Sequence, residues 1–158
     1  MLPAERVIVA LDVARPDEAL KLVAELEAVG IQAFKVGLEL FHAGGPELVR
    51  RLAAGPRRIF LDLKYHDITA TVERTVRQAV DLGVWMFNVH ALGGEAMMQR
   101  AAAAAAAAAA ELGRPRPLVV AVTILTNLDA AQLAQLGWEE SPRVLAVRLA
   151  RLAQQAGL

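Results

Sequence analysis

Apolar residues along the chain cluster in short runs that are rich in β-branched side chains. The runs are Val7-Ile8-Val9-Ala10-Leu11, Ala33-Phe34-Lys35-Val36, Ile59-Phe60-Leu61-Asp62-Leu63, Val84-Trp85-Met86-Phe87-Asn88-Val89 and Leu118-Val119-Val120-Ala121-Val122. Each has the length and composition of a strand buried on both faces. Ile8, Phe34, Phe60 and Met86 stand 26 residues apart, and the intervals carry apolar positions at helical spacing. The period is one strand plus one helix, which predicts a βα repeat.

Helix punctuation agrees with that reading. Pro16 opens a segment that runs through Leu20, Leu22, Val23 and Leu26 to Gly30, and Pro46 opens another through Leu48, Val49 and Leu52 to Gly55. Proline at the first turn and glycine just past the last one is the expected asymmetry. Gly83 closes a third helix for which Thr69 or Thr71 is the predicted cap, and a further helix is expected from Arg143 toward Gln155. Ala101–Ala110 is helical by propensity but offers neither a large apolar face nor charge pairs, so it carries no part of the functional reading. Parallel strands joined by right-handed helical crossovers leave two architectures, a doubly wound open sheet or a (β/α)8 barrel. No Gly-x-Gly-x-x-Gly follows the first strand, which counts against the first.

Composition narrows the function classes. In 158 residues, 17 Lys+Arg balance 17 Asp+Glu, and 56% of positions are hydrophobic. This describes a single soluble globular domain with no basic field to hold nucleic acid. The absence of cysteine removes thiol chemistry, Cys-ligated zinc and disulfides, and fits a reducing compartment. Met1 is not followed by a basic and then long apolar stretch, and no run of about 18 apolar residues is free of charge. The expectation is a cytoplasmic protein without membrane contact.

Polar residues gather where the strands end: Asp12 on the first, Lys35 on the second, Asp62 and Lys64 on the third, Asn88 and His90 on the fourth. Buried polar groups cost free energy unless paired, and both candidate folds build their sites on this edge. Lys21, Lys35 and Lys64 are the only lysines against 14 arginines, so two of three compact, titratable ammonium groups stand at strand ends. Asp62 and Lys64 are two residues apart and share a strand face, with Asp67 three residues on. The prediction is an alternating carboxylate, ammonium, carboxylate array. An ion-pair cluster in a barrel core is the bland alternative, and the matching positions of Lys35 and Asp12 favour a site. His90 reads as a hydrogen-bonded core histidine, and His42 and His66 as surface or loop residues without metal-ligand spacing.

The segment Phe60-Leu61-Asp62-Leu63-Lys64-Tyr65-His66-Asp67-Ile68 resembles the active-site signature of the orotidine 5′-phosphate decarboxylase family. Ala10-Leu11-Asp12, Phe34-Lys35-Val36-Gly37, Glu39-Leu40-Phe41, Gly44-Gly45-Pro46, Asn88-Val89-His90-Ala91 with Gly93-Gly94, and Ala121 through Thr126 follow the family's order and spacing across the whole chain. The resemblance implies a (β/α)8 TIM barrel, of which about five βα units lie within residues 1–158, and metal-free, cofactor-free decarboxylation of orotidine 5′-monophosphate to UMP and CO2. It implies that Lys64 donates the proton to C6 and that Asp62 sits against the substrate carboxylate. Asp67 is then contributed across a two-fold dimer interface, Lys35 binds the ribose and orients the charges, and Asp12 holds a ribose hydroxyl. Ile68 and Thr71 match positions that approach from the partner subunit, and Thr126 one that contacts the pyrimidine. Thr69 stands where relatives often carry proline, a change expected to alter the helix start rather than the chemistry.

The resemblance also implies three more strands and Gly/Arg phosphate loops after the seventh and eighth. Five strands cannot close an eight-stranded barrel. The expectation is therefore that residues 1–158 are the N-terminal part of a longer barrel and lack turnover alone. Two rivals follow. A Mg2+-dependent sugar-phosphate decarboxylase or aldolase of the same barrel group shares Asp-x-Lys-x-x-Asp, but Lys35 stands where those enzymes carry an acidic metal ligand. The other rival is a non-catalytic half-barrel.

Overall fold

The computed structural model describes residues 6–158. Five strands, β1 (Val9–Ala10), β2 (Ala33–Gly37), β3 (Arg58–Tyr65), β4 (Met86–His90) and β5 (Leu118–Val122), form one sheet in the order β1-β2-β3-β4-β5. Every neighbouring pair is parallel. Six α-helices follow the strands: α1 (Pro16–Glu27), α2 (Leu38–Ala53), α3 (Thr69–Asp81), α4 (Glu95–Glu111), α5 (Ala130–Gln135) and α6 (Pro142–Gln155). A doubly wound sheet reverses direction at a switch point. Here the order is strictly sequential, and right-handed crossovers in a constant direction put the helices on one face, as in a barrel wall.

Alternation along each strand divides the two faces. Phe34, Val36, Ile59, Leu61, Phe87 and Val89 are buried in one core with Val23, Val49, Leu52, Val72, Val76 and Met98 from the helices. The opposite face carries Lys35, Asp62 and Asn88, and continues onto β5 as exposed Leu118 and Val120.

Several expectations are adjusted. β1 forms ladder pairs only over Val9–Ala10 instead of the whole apolar run. α2 already begins at Leu38, and Pro46 starts its second half after a kink at Gly45, whose φ of 62° and ψ of −170° interrupt the helix. Neither Thr69 nor Thr71 caps α3. Thr69 is the first helical residue, Ile68 stands at the cap position without a side-chain bond, and the Thr71 N–H donates to the Ile68 carbonyl. The alanine tract is helical and also forms a buried face. Ala101, Ala105, Ala108 and Ala109 lie in the core, so the small side chains fill space between α4 and its neighbours that larger ones would overfill. α5, capped by Asp129 and Gln132 in a reciprocal capping box, has no counterpart in the periodicity reading.

Candidate active site

All five strands point the same way, so their carboxyl ends share one edge of the sheet. There Asp62 is the centre of a charge network. Its side chain is only 12% exposed. Oδ1 accepts from Lys64 Nζ at 2.8 Å and from Asn88 Nδ2 at 2.6 Å, while Oδ2 lies 3.2 Å from Lys35 Nζ. Lys35 Nζ also reaches Asp12 Oδ1 at 3.5 Å. Asp12, Lys35, Asp62 and Lys64 line one cleft of about 230 Å3 together with Gly37 and Leu40. Burial works to raise the Asp62 pKa, but hydrogen bonds from Lys64, Asn88 and Lys35 outweigh it and hold the carboxyl below its ordinary value. The charged form is therefore the resident one near neutral pH.

The backbone beneath this network is irregular. Ladder pairing runs Phe60↔Met86 and Leu61↔Phe87, then resumes at Tyr65↔Val89. Asp62, Leu63 and Lys64 thus stand opposite Asn88 alone, a bulge that adds two residues to β3. Within it Lys64 has φ of 51°, the one described non-glycine residue with positive φ, a conformation that tertiary contacts must hold in place.

Asp67 does not join the array inside one chain. Among the described residues it makes no ion pair with Lys64; it is exposed, and its Oδ1 accepts the Ile68 N–H at 2.6 Å. Ile68 is 72% exposed. Thr71 lies in the first turn of α3, its carbonyl accepting from Thr75 Oγ1, and Thr126 is exposed in the segment after β5. Of the eight residues singled out, Asp12, Lys35, Asp62 and Lys64 converge, while Asp67, Ile68, Thr71 and Thr126 stand outside the cluster. Asn88, noted in the sequence only as a polar strand-end residue, is the member that sequence reasoning gave no role.

His90 is buried at the end of β4, and its Nδ1 accepts from the Leu92 N–H at 3.4 Å, as expected for a core histidine. His66, exposed as expected, stacks on it with ring centroids 5.2 Å apart. Burial, His66 and Lys64 together hold the His90 pKa below its ordinary value. The unfolded chain then binds this proton more readily than the folded one. Stability from this group is complete above the unfolded value of about 6.5 and is lost as pH falls below it. Replacing His90 by Phe should flatten that acid-side loss, read from urea unfolding at pH 7.5 and 5.5; equal losses in both proteins would contradict it. Asp62 contributes in a lower window, its stabilisation disappearing as pH falls below 3.8 toward its depressed folded value.

A larger cavity of about 990 Å3 lies elsewhere, where Trp138, Val144, Val147, Leu149 and Leu152 meet Leu92. It is lined by apolar groups, Gln155 and the guanidinium groups of Arg143, Arg148 and Arg151, without a carboxylate or lysine, so the smaller cleft is the one equipped for proton transfer. Among the described residues no three His, Cys, Asp or Glu side chains are grouped to hold a metal ion, and no helix is long and apolar enough to cross a membrane.

Comparison with known proteins places this geometry in context. The family described as "Orotidine 5'-phosphate decarboxylase / HUMPS family" matches residues 5–158. The chain is 48% identical to the orotidine 5′-phosphate decarboxylase of Nitrosococcus oceani over 97% of its own length and 63% of the relative's. It is 50% identical to that of Halorhodospira halophila over 97% and 62%. It therefore spans a little under two thirds of the length of these curated relatives. The crystal structure of orotidine 5′-phosphate decarboxylase from Lactobacillus acidophilus superposes with a TM-score of 0.88 at 32% identity, covering 97% of this chain and 68% of that one.

Proposed function

Given that the chain belongs to the orotidine 5′-phosphate decarboxylase / HUMPS family, we propose that the whole protein removes CO2 from orotidine 5′-monophosphate to give UMP, as a cytoplasmic homodimer and without a metal. The observation that carries this reading is the Lys35–Asp62–Lys64 network: an ammonium held at 2.8 Å by a carboxylate whose other oxygen is held by a second ammonium. Decarboxylation at C6 of a pyrimidine leaves electron density that the ring does not delocalise. A preorganised cation at that carbon is the group able to stabilise it and then to protonate it.

In this reading Lys64 gives C6 its proton, and the C6–CO2 bond electrons become the new C–H bond as CO2 departs. Asp62 sits against the substrate carboxylate and holds the Lys64 ammonium in position. Lys35 and Asp12 hold the ribose hydroxyls, and Thr126 contacts the pyrimidine. Asp67, Ile68 and Thr71 complete the site of the opposite subunit. A Mg2+-dependent sugar-phosphate reaction is disfavoured because both oxygens of Asp62 are engaged by donors and two ammonium groups flank it.

The test is turnover of orotidine 5′-monophosphate by the whole protein, followed by the loss of pyrimidine absorbance and by CO2 release. Activity that is indifferent to EDTA is the expected result. Activity abolished by EDTA and restored by Mg2+, or no turnover at all, overturns the proposal.

A further inference from the structure

We propose that Asn88 is a positioning residue for this reaction: its side-chain amide occupies the three-against-one bulge between β3 and β4 and fixes the Lys64 backbone and the Asp62 carboxylate relative to one another. The inference rests on the decarboxylase reading for its consequence, though not for its geometry.

Backbone groups of β3 alternate between its neighbours, Arg58 donating to Gln32 on the β2 side and Ile59 accepting from Trp85 on the β4 side, so in a regular strand the Lys64 N–H would face β2, whose ladder has already ended at Gly37. The two additional residues of β3 turn it toward β4 instead, where Asn88 Oδ1 takes the bond at 2.8 Å. The other end of the same amide donates to Asp62 Oδ1 at 2.6 Å. Asn88 is 3% exposed, so water does not compete for either end. One planar group thus presents an acceptor to the residue with φ of 51° and a donor to the carboxylate that grips its ammonium.

Few side chains can replace it. Leu matches the shape and offers neither bond; Gln places the amide one methylene too far; Asp keeps the acceptor but, when ionised, sets a like charge against Asp62. Without the acceptor Lys64 relaxes toward ordinary negative φ, and since Cβ turns with the backbone, Nζ leaves the position that Asp62 and Lys35 define. A displacement on the 1 Å scale at a reacting group is enough for about a 100-fold loss of rate.

The experiment compares the whole protein with Asn88→Leu, Asn88→Asp and Phe87→Leu. Phe87 is buried on the helix-facing side of β4, so its variant reports loss of stability alone. Asn88→Leu is expected to lose about 100-fold in kcat with KM for orotidine 5′-monophosphate changed by less than about threefold, while Phe87→Leu melts earlier and keeps kcat. Asn88→Asp supplies a readout that a packing role would not move. Its protonated carboxyl has the donor and acceptor of the amide, so activity should recover at acid pH and fall as pH rises and the shared proton is lost. A kcat for Asn88→Leu within threefold of the parent, or an Asn88→Asp pH profile like the parent's, overturns the proposal. A crystal structure of Asn88→Leu reads the geometry without turnover: Lys64 at negative φ with Nζ away from Asp62 supports the clamp even if the parent proves not to decarboxylate this substrate, and Lys64 unmoved refutes it.

Discussion

Replacing Lys64 by Ala is expected to lower kcat for orotidine 5′-monophosphate by more than about 10^4-fold, while KM changes by less than about tenfold. The asymmetry follows from where the ammonium acts. In the ground state the negative charge lies on the carboxylate oxygens and the ammonium is already engaged by Asp62; as CO2 leaves, the charge moves onto C6 itself, which Lys64 Nζ then faces. An interaction made only in the transition state appears in kcat, not in KM. Enzymes lower barriers by about 8–23 kcal/mol, and the proposed mechanism asks this single cation for a large share of that. The carboxylate of Asp62, 2.8 Å from Nζ, holds that cation in place. Steady-state kinetics with single-turnover controls check the result. A variant that keeps more than about 1% of the parent kcat would show that protonation at C6 comes from another group.

Mixing the inactive Lys64→Ala and Asp67→Ala proteins is expected to restore activity that neither possesses. Asp67 lies only three residues past Lys64, yet within one chain it bonds the Ile68 N–H and leaves Lys64 alone, and Ile68 beside it exposes 72% of its surface. A carboxylate and a bare isoleucine at one turn fit a surface that a second subunit covers. If each site takes Lys64 from one subunit and Asp67 from the other, half of randomly exchanged dimers are mixed and each has one intact site, giving about a quarter of parental activity by two-fold symmetry. Exchange is verified by tagged subunits in native mass spectrometry. Exchange without recovery would place both residues in the same subunit's site.

The architecture was legible because its signal is repeated. Four strands at a 26-residue period, with proline and glycine at helix ends, predict βα units whatever the details of any one of them. Lys35, Asp62 and Lys64 were legible because charge inside an apolar run is costly and therefore conspicuous. What escaped notice has no such signature. The bulge depends on β3 holding two residues more than β4 between two ladder pairs, a comparison of elements 24 residues apart that no local pattern encodes. Asn88 consequently showed as polar and at a strand end, while the two bonds that define it did not show. The start of α3 is ambiguous in sequence because threonine caps and threonine first turns read alike; Asp67 takes the Ile68 N–H and leaves Thr69 to begin the helix. Asp129-x-x-Gln132 carries a capping signature, but α5 is too short to display periodicity beside it.

The left-handed backbone at Lys64 sets folding and chemistry against each other at one position. Glycine would adopt φ of 51° without the strain of about 1–3 kcal/mol that a side chain brings, so a sequence optimised for stability alone would write glycine there, in the middle of the signature. Lysine at 64 accepts that strain in return for an ammonium 2.8 Å from Asp62, so a change to glycine would relieve the backbone and strip the carboxylate of one of its three donors.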